Sequence, residues 1–543
     1  MRTRRLLLLS VSVAARAGDP KLFDGLGHHH RAVKTSSPEA QMYFDQGLTW
    51  TYAFNHDEAI RSFEAALAKD PTCAMAWWGI AYCHGPHINN MEVPPERAKA
   101  AWDAVQKALS LAVVGDSRMS VGLERALIEA LATRYADPQP KDRRPLDEAY
   151  AAAMKRVYTS HSDDVDLGTL YAESLMDLQP WDLWTKDGQP KGNTLEVMAV
   201  LERVMAAQPD HPGATHLYIH AAENSPFPEK ADMAANTLRA LVPASGHLVH
   251  MPAHIDVQTG RWAMAAEANE KAIEADRRYR EISPRQGFYA IYMAHNHQFF
   301  SWVCMNDGRS EKAIREARTM VAGVPMEFIE KSPAAIDGYL PIAYEALVRY
   351  GRWDEILKEP APPTSLPILT AFWRLTRALA FAAKGQVEDA VKEQAAFREA
   401  AAKIPPDAKM AINPAKNVMA LADHVLEGEI AFRRGEIDAA VDHLRAAAKL
   451  EDDLTYIEPP DWLLPARHTL GAFLMSATRH EEALKVYGED LAAWPENGWS
   501  LFGLAECLKA LGRDEEAAAV RKRFEAVWSA ADTKLSSTCL CVD

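Results

Sequence analysis

Histidine carries most of the chemistry this sequence offers. Seven of its 19 histidines, His216, His220, His247, His250, His254, His295 and His297, fall within residues 216–297, where an even spread would place about three. At about 100° per residue, His216, His220 and Glu223 share one helical face within about 60° of arc, and His247, His250 and His254 share another. Four residues of helix rise about 6 Å and packed helices lie about 8–10 Å apart, so facing imidazoles can converge on one ion or a close pair of ions. A ligating imidazole needs its second nitrogen held by a hydrogen bond, and Glu223 and Asn224 lie one turn along from His220. Met251–Pro252 interrupts the second face and shifts its angles unless the proline sits in a first turn. His216, His220, Glu223, His247, His250, His254 and His295 are therefore the central candidate ligands.

Soft and borderline divalent metals favour imidazole, and copper binds most tightly in the divalent series, so copper stands first, with zinc and iron as alternatives. His220 and His254 with Glu223 also match the two-histidine, one-carboxylate set of iron. An open site implies a metal-dependent oxidoreductase or metal-assisted hydrolysis, and a closed one a sensor or carrier. The competing reading is a polar wall that uses histidine for hydrogen bonding or pH response. Cys83, His84 and His87 form a second cluster, in a loop of sequence CHGPH. Cys539 and Cys541 form a third, two thiols suited to a soft metal or a redox pair. His28–His30 lie in an N-terminal arm, and His424, His443 and His211 read as isolated. His216-x-x-x-His220 has the spacing of a zinc-protease helix, but Leu217 stands where the catalytic glutamate belongs. No glycine-rich phosphate loop and no Gly-x-Ser-x-Gly elbow is present.

The elements that must hold these residues come from a repeat. Residues 38–71 read PEAQMYFDQGLTWTYAFNHDEAIRSFEAALAKDP, with Tyr43, Gly47, Trp50, Ala59, Phe63, Ala66 and Pro71 at spaced positions. This segment resembles the tetratricopeptide repeat, a helix–turn–helix unit of about 34 residues. The pattern recurs at Ala74–Ala81, around Gly260 and Trp262, at Gly308 and Ala313, at Gly351 and Trp353, and from Gly428 to Ala517. The resemblance implies an all-α fold, a right-handed α-solenoid whose concave groove is lined by the first helix of each repeat. It also implies a small-molecule or peptide ligand in that groove, or a metal-free scaffold for partner proteins. Placed in that register, a repeat starting at Pro212 puts His216, His220, Glu223 and Asn224 on the groove. The next, starting at Gly246, puts His247, His250 and His254 there, and one starting at Ala294 adds His295. The expected organisation is an arm at 18–37, repeats at 38–330 and 331–533, and a Cys-x-Cys tail at 534–543.

Composition fits this picture. Of 543 residues, 48% are hydrophobic and 25% charged, ordinary for a folded chain and too long for one core. Lys plus Arg number 60 against 75 Asp plus Glu, a net charge of −15, which argues against a nucleic-acid partner. No later apolar run suffices for a membrane span. Met1–Arg5 is basic, residues 6–15 are apolar, and Ala15-x-Ala17 follows, the order of an export signal at 1–17. Arg4–Arg5 loosely resembles a twin-arginine signal, so an exported or periplasmic location is expected. Intact-mass measurement of the native protein is expected to show a chain beginning near Gly18; retention of residues 2–17 would reject the cleavage.

Overall fold

The periodicity read along residues 38–530 is realised as helix after helix in the computed structural model, which describes residues 21–112, 119–283 and 286–542. The export segment lies outside the described residues. Among those residues the only sheet is a two-residue antiparallel ladder pairing Lys409 with Pro414 and Met410 with Asn413. The fold is the all-α, helical-repeat type expected from the tetratricopeptide pattern. Among the described residues no helix is long and apolar enough to cross a membrane.

The first repeat shows why the pattern folds this way. Helix Pro38–Tyr52 is followed by helix His56–Lys69, whose first turn is capped by Asn55 accepting from the Glu58 amide. Asp70 breaks helical geometry ahead of Pro71. Phe63 is fully buried between two glycines: a Cβ on Gly47 would lie 2.6 Å from its ring, and one on Gly79 2.5 Å. The small residues of the motif are thus the space that its large ones fill. The chain divides into two compact units. One comprises residues up to 153 except for two short segments; the other comprises 154 onward together with those segments, 52–54 and 87–91.

In the first unit the arm packs down. The Phe23 amide donates to Gln46 Oε1 at 2.8 Å, and Gln41 Nε2 donates to the Arg31 carbonyl at 2.8 Å. His30 Nδ1 lies 2.8 Å from Asp45 Oδ2. In the second unit, paired helices follow one another, including Ala290–Asp307 with Ser310–Ala322, Ala415–Arg433 with Ile437–Asp452, and Gly498–Ala510 with Asp514–Val527. The late repeats pack back on the middle of the unit. Trp262 Nε1 donates to the Pro495 carbonyl at 2.9 Å, and Trp499 Nε1 donates to the Met305 carbonyl at 2.7 Å. That return brings a late connector, residues 453–465, to the histidines.

Gly47→Ala is expected to destabilise the protein by about 1–3 kcal/mol, because the buried Phe63 ring must leave its place. A thermal melt reads the change, and an unaltered Tm would contradict the packing account.

Candidate metal centre

Helix Pro212–Ala222 carries His216 and His220 one turn apart, with Glu223 as its C-terminal cap residue. Proline opens the helix, where no amide is needed, and the His211 ring accepts from the Ala214 amide at 3.1 Å. Gly213 lets the Tyr52 ring approach; a Cβ there would come within 2.4 Å of it. The Met251–Pro252 step has the effect foreseen from sequence. Helix Gly246–His250, capped by the Ser245 hydroxyl accepting from the Leu248 amide at 3.3 Å, stops, and helix Pro252–Gln258 restarts with proline in its first turn. The restart keeps His250 and His254 close, with Nε2 atoms 2.9 Å apart. Helix Ala290–Asp307 brings His295 alongside, its ring centroid 4.9 Å from that of His250.

Two triads result. The ligand nitrogens of His216, His220 and His247 lie within 4.8 Å of one another, and so do those of His250, His254 and His295. The triads adjoin: ring centroids are 6.0 Å apart for His220 and His254, and 6.4 Å for His247 and His250. His216, His220, His247, His250 and His254 are all buried.

The outer nitrogens fix how the rings present themselves. His216 Nδ1 is 2.7 Å from the Tyr52 carbonyl, which can only accept, so Nδ1 carries the proton and Nε2 a lone pair. That Nε2 lies 3.1 Å from His247 Nε2. Asn269 donates its Nδ2 to the Ala265 carbonyl at 2.8 Å, which turns its Oδ1 toward His250 Nδ1, also at 2.8 Å. His250 Nε2 is therefore likewise a lone pair, aimed at His254. His254 Nδ1 faces two carboxylates, Glu223 Oε2 at 2.8 Å and Glu458 Oε2 at 3.0 Å. Neither approach is aligned as a hydrogen bond, and His254 Nδ1 and both Oε2 atoms are buried without an aligned partner. His220 Nε2 and His247 Nδ1 are buried without one too.

Burial is the largest influence on each shifted ring. It holds His216, His247 and His250 well below the ordinary histidine value, helped by the repulsion that adjoining imidazoles would meet if charged together, and pushes His295 down to about 3. For His254 burial acts the same way but is outweighed by Glu223 and Glu458, which raise it to about 10. Burial pushes both carboxylates up. At Glu223 the attraction of His254 and His220 overcomes that and lowers it to about 2, whereas Glu458, facing Glu223 as well, remains raised.

Aromatic residues in unusual backbone conformations close the centre. Phe54 (φ 54°) and Trp181 (φ 63°) both occupy the left-handed region, which costs a bulky residue roughly 1–3 kcal/mol. The Phe54 ring lies 4.5 Å from that of His216, and the Trp181 ring 5.3 Å edge-on from His220. A small open pocket lined by Ile88, Met176, Leu183 and Trp181 reaches His220.

The remaining candidates lie elsewhere. Cys83 is buried with its thiol 3.2 Å from Thr51 Oγ1, and His84 is pushed down to about 4 by burial and by Arg97. Both belong to the first unit. His87 belongs to the second and stacks on Phe54 at 4.6 Å. No ligand grouping among the described residues contains any of these three. Cys539 and Cys541 are joined as a disulfide and group with Glu429, not with the histidines. His297 turns away, to Glu316 at 2.7 Å. The isolated reading of three histidines is corrected: His424 and His443 pair at 3.1 Å, and His211 lies 3.2 Å from Asp166. Partners 19 and 45 residues away in sequence gave no local signal. Sequence reading also missed Glu458, Asn269, Tyr52, Phe54 and Trp181. Only Glu458 left a trace, in a connector too long for a repeat turn.

No family model and no curated protein matches the chain. Among solved structures it is similar to the human IFIT1 dimer with PPP-AAAA, at 13% identity over 91% of this chain and 92% of that one, with a TM-score of 0.33. It is also similar to the APC/C hetero-tetramer Cut9-Hcn1, at 13% identity over 92% of this chain and 76% of that one, with a TM-score of 0.29. Scores this low carry no argument, and the fold and site stand on the residues described above.

The protein without bound metal is expected to lose stability in mild acid. His216, His247, His250 and His295 take up protons near pH 6.5 when unfolded but only at lower pH when folded. The stability they carry is therefore present above pH 6.5 and drains as pH falls from there toward their folded values, by up to about 1.4 kcal/mol per pH unit for each ring. His254 acts oppositely: its share is present below 6.5 and is lost as pH rises toward about 10. Melts at pH 7 and 5 should show the lower Tm at pH 5, with a shallower slope in His295→Asn; a flat profile would contradict the burial account.

Proposed function

We propose that this protein is a metalloprotein whose two histidine triads hold a close pair of transition-metal ions, copper first, and that the pair serves redox chemistry. The observation that carries this reading is the adjacency of the triads, six imidazoles of which His216 and His250 turn a lone pair inward, their outer nitrogens held by the Tyr52 carbonyl and Asn269, while Glu223 and Glu458 face His254. Nitrogens 2.9 and 3.1 Å apart correspond, at metal–nitrogen distances of about 2.0 Å, to angles of about 93° and 102° at a shared ion. Such angles lie between square-planar and tetrahedral, a range copper accepts in both its common oxidation states.

His216, His220 and His247 would hold one ion, and His250, His254 and His295 the other. A copper pair in this position would supply electron transfer to or from a small molecule. The chain's own part is to fix the rings, to exclude bulk water through Phe54 and the surrounding core, and to admit a reactant along the Trp181 pocket to His220. Glu223 and Glu458 would neutralise charge as ions bind and take up the proton that His254 gives up. Zinc or iron at the same nitrogens would turn the chemistry toward metal-assisted hydrolysis or oxygenation. The export signal would take the protein out of the cytoplasm, as a periplasmic or secreted copper protein requires.

A second reading rests on the same two distances, which also fit N–H···N hydrogen bonds between imidazoles. On that reading the centre is a buried polar wall in a metal-free scaffold that binds peptides or partner proteins.

Metal analysis separates them. Native or copper-reconstituted protein is expected to hold two ions per chain, and His250→Ala/His254→Ala is expected to lose at least one while retaining its helical circular dichroism. Wild-type stoichiometry and affinity in that variant would leave the scaffold reading.

A further inference from the structure

The C-terminal segment is built into the last repeats of the second unit. The Asp532 carboxylate accepts from the Ser310 and Glu311 amides at 2.7 and 3.1 Å, at the start of helix Ser310–Ala322. Thr538 Oγ1 donates to the His468 carbonyl at 2.8 Å and lies 2.9 Å from the Tyr487 hydroxyl. Arg433 donates to the Cys541 carbonyl. Cys539 and Cys541 thereby line a groove with Arg349, Trp353, Leu379 and Glu429.

Glu429 is the anomaly in this groove. It projects from helix Ala415–Arg433, is 3% exposed, and its Oε2 is buried with no hydrogen-bond partner. Its Oε1 lies 3.7 Å from Cys539 Sγ. Ligand atoms of Glu429, Cys539 and Cys541 all lie within 4.8 Å of one another. A buried carboxyl oxygen with no hydrogen-bond partner, beside two sulfurs, is a group that a cation would satisfy.

We propose that Cys539, Cys541 and Glu429 form a second metal site, separate from the histidines, which in its reduced form takes a zinc-class divalent cation and clasps the C-terminal tail to helix Ala415–Arg433. Three observations select that class. Tetrahedral zinc with a thiolate at about 2.3 Å and a carboxylate oxygen at about 2.1 Å sets sulfur and oxygen about 3.6 Å apart, close to the 3.7 Å between Cys539 and Glu429. Mixed thiolate and carboxylate donors suit zinc better than monovalent copper, which prefers sulfur alone. Two thiolates and one carboxylate beside Arg433 sum to −2, which a divalent ion cancels.

The site exists only after the disulfide opens. A dithiol reductant supplies two electrons and two protons to the Cys539–Cys541 bond, giving two thiols and a cyclic disulfide of the reductant. The divalent ion then displaces both thiol protons and binds Glu429 as its carboxylate. A disulfide oxidant reverses this: it takes two electrons from the thiolates and two protons from water to become a dithiol, the Cys539–Cys541 bond re-forms and the ion is released, leaving the tail on its Asp532, Thr538 and Arg433 contacts alone.

The test uses full-length protein reduced with dithiothreitol, desalted without oxygen and titrated with Co²⁺, whose thiolate charge-transfer absorption reports sulfur ligation whatever the histidines bind. Expected are one equivalent with that absorption in the reduced protein, none in the oxidised protein, and none in Cys539→Ser/Cys541→Ser. Glu429→Gln is expected to weaken binding at least tenfold. Added zinc should displace the cobalt and slow carboxypeptidase removal of the tail in reduced wild type alone. No thiolate absorption in reduced wild type, its survival in the double serine variant, or unchanged affinity in Glu429→Gln would each overturn the proposal. The histidine reading is judged separately, by copper content of the same variants, which should be unchanged.

Discussion

An imidazole taken out of water must satisfy both ring nitrogens, and a group of them cannot all carry charge. This constraint governs the middle of the molecule. Six histidines adjoin one another, five of them buried, and the charge they cannot share falls on one, His254, against two carboxylates. Burial holds His216, His247, His250 and His295 below the ordinary histidine value, and His216 and His250 are turned by single, well-placed acceptors, the Tyr52 carbonyl and the Asn269 side chain. An acceptor that cannot donate dictates which nitrogen is protonated, and so dictates where the lone pair points. The strained backbones of Phe54 and Trp181 are part of the same arrangement, because their rings shield what the acceptors have oriented.

Helical repeats suit this task because each contributes one face at a fixed spacing to its neighbours. Helix Pro212–Ala222 gives two rings one turn apart, the broken pair Gly246–His250 and Pro252–Gln258 gives three, and helix Ala290–Asp307 gives one. The break at Met251 leaves His250 and His254 edge to face, their Nε2 atoms 2.9 Å apart, instead of along one straight stripe. Packing of the late repeats against Trp262 and Met305 closes the unit and delivers Glu458 from the far end of the chain.

Much of this was legible in the sequence, because periodicity is local. The repeat, the two histidine faces, the role of Glu223 and the disturbance at Pro252 all follow from spacings within a few turns. What lay hidden depends on long-range contact. Glu458 sits more than 200 residues from His254, Asn269 belongs to the outer helix of its repeat, and the Tyr52 contribution is a backbone carbonyl, which no residue type announces. His297, counted in the cluster but not among the candidate ligands, lies two residues beyond His295, which on a helix turns a side chain through about 200°, toward Glu316. The seating of the cysteine tail was likewise hidden, because it depends on the distant contacts of Thr538, Asp532 and Arg433.

The central claim is that the six imidazoles belong to two ions and not to each other. Anomalous diffraction from crystals of the copper-reconstituted protein addresses it most directly. Two peaks are predicted, one bounded by His216, His220 and His247 and the other by His250, His254 and His295. A density map with no peak at these rings, their nitrogens still about 3 Å apart and bridged by hydrogen bonds alone, would contradict the account.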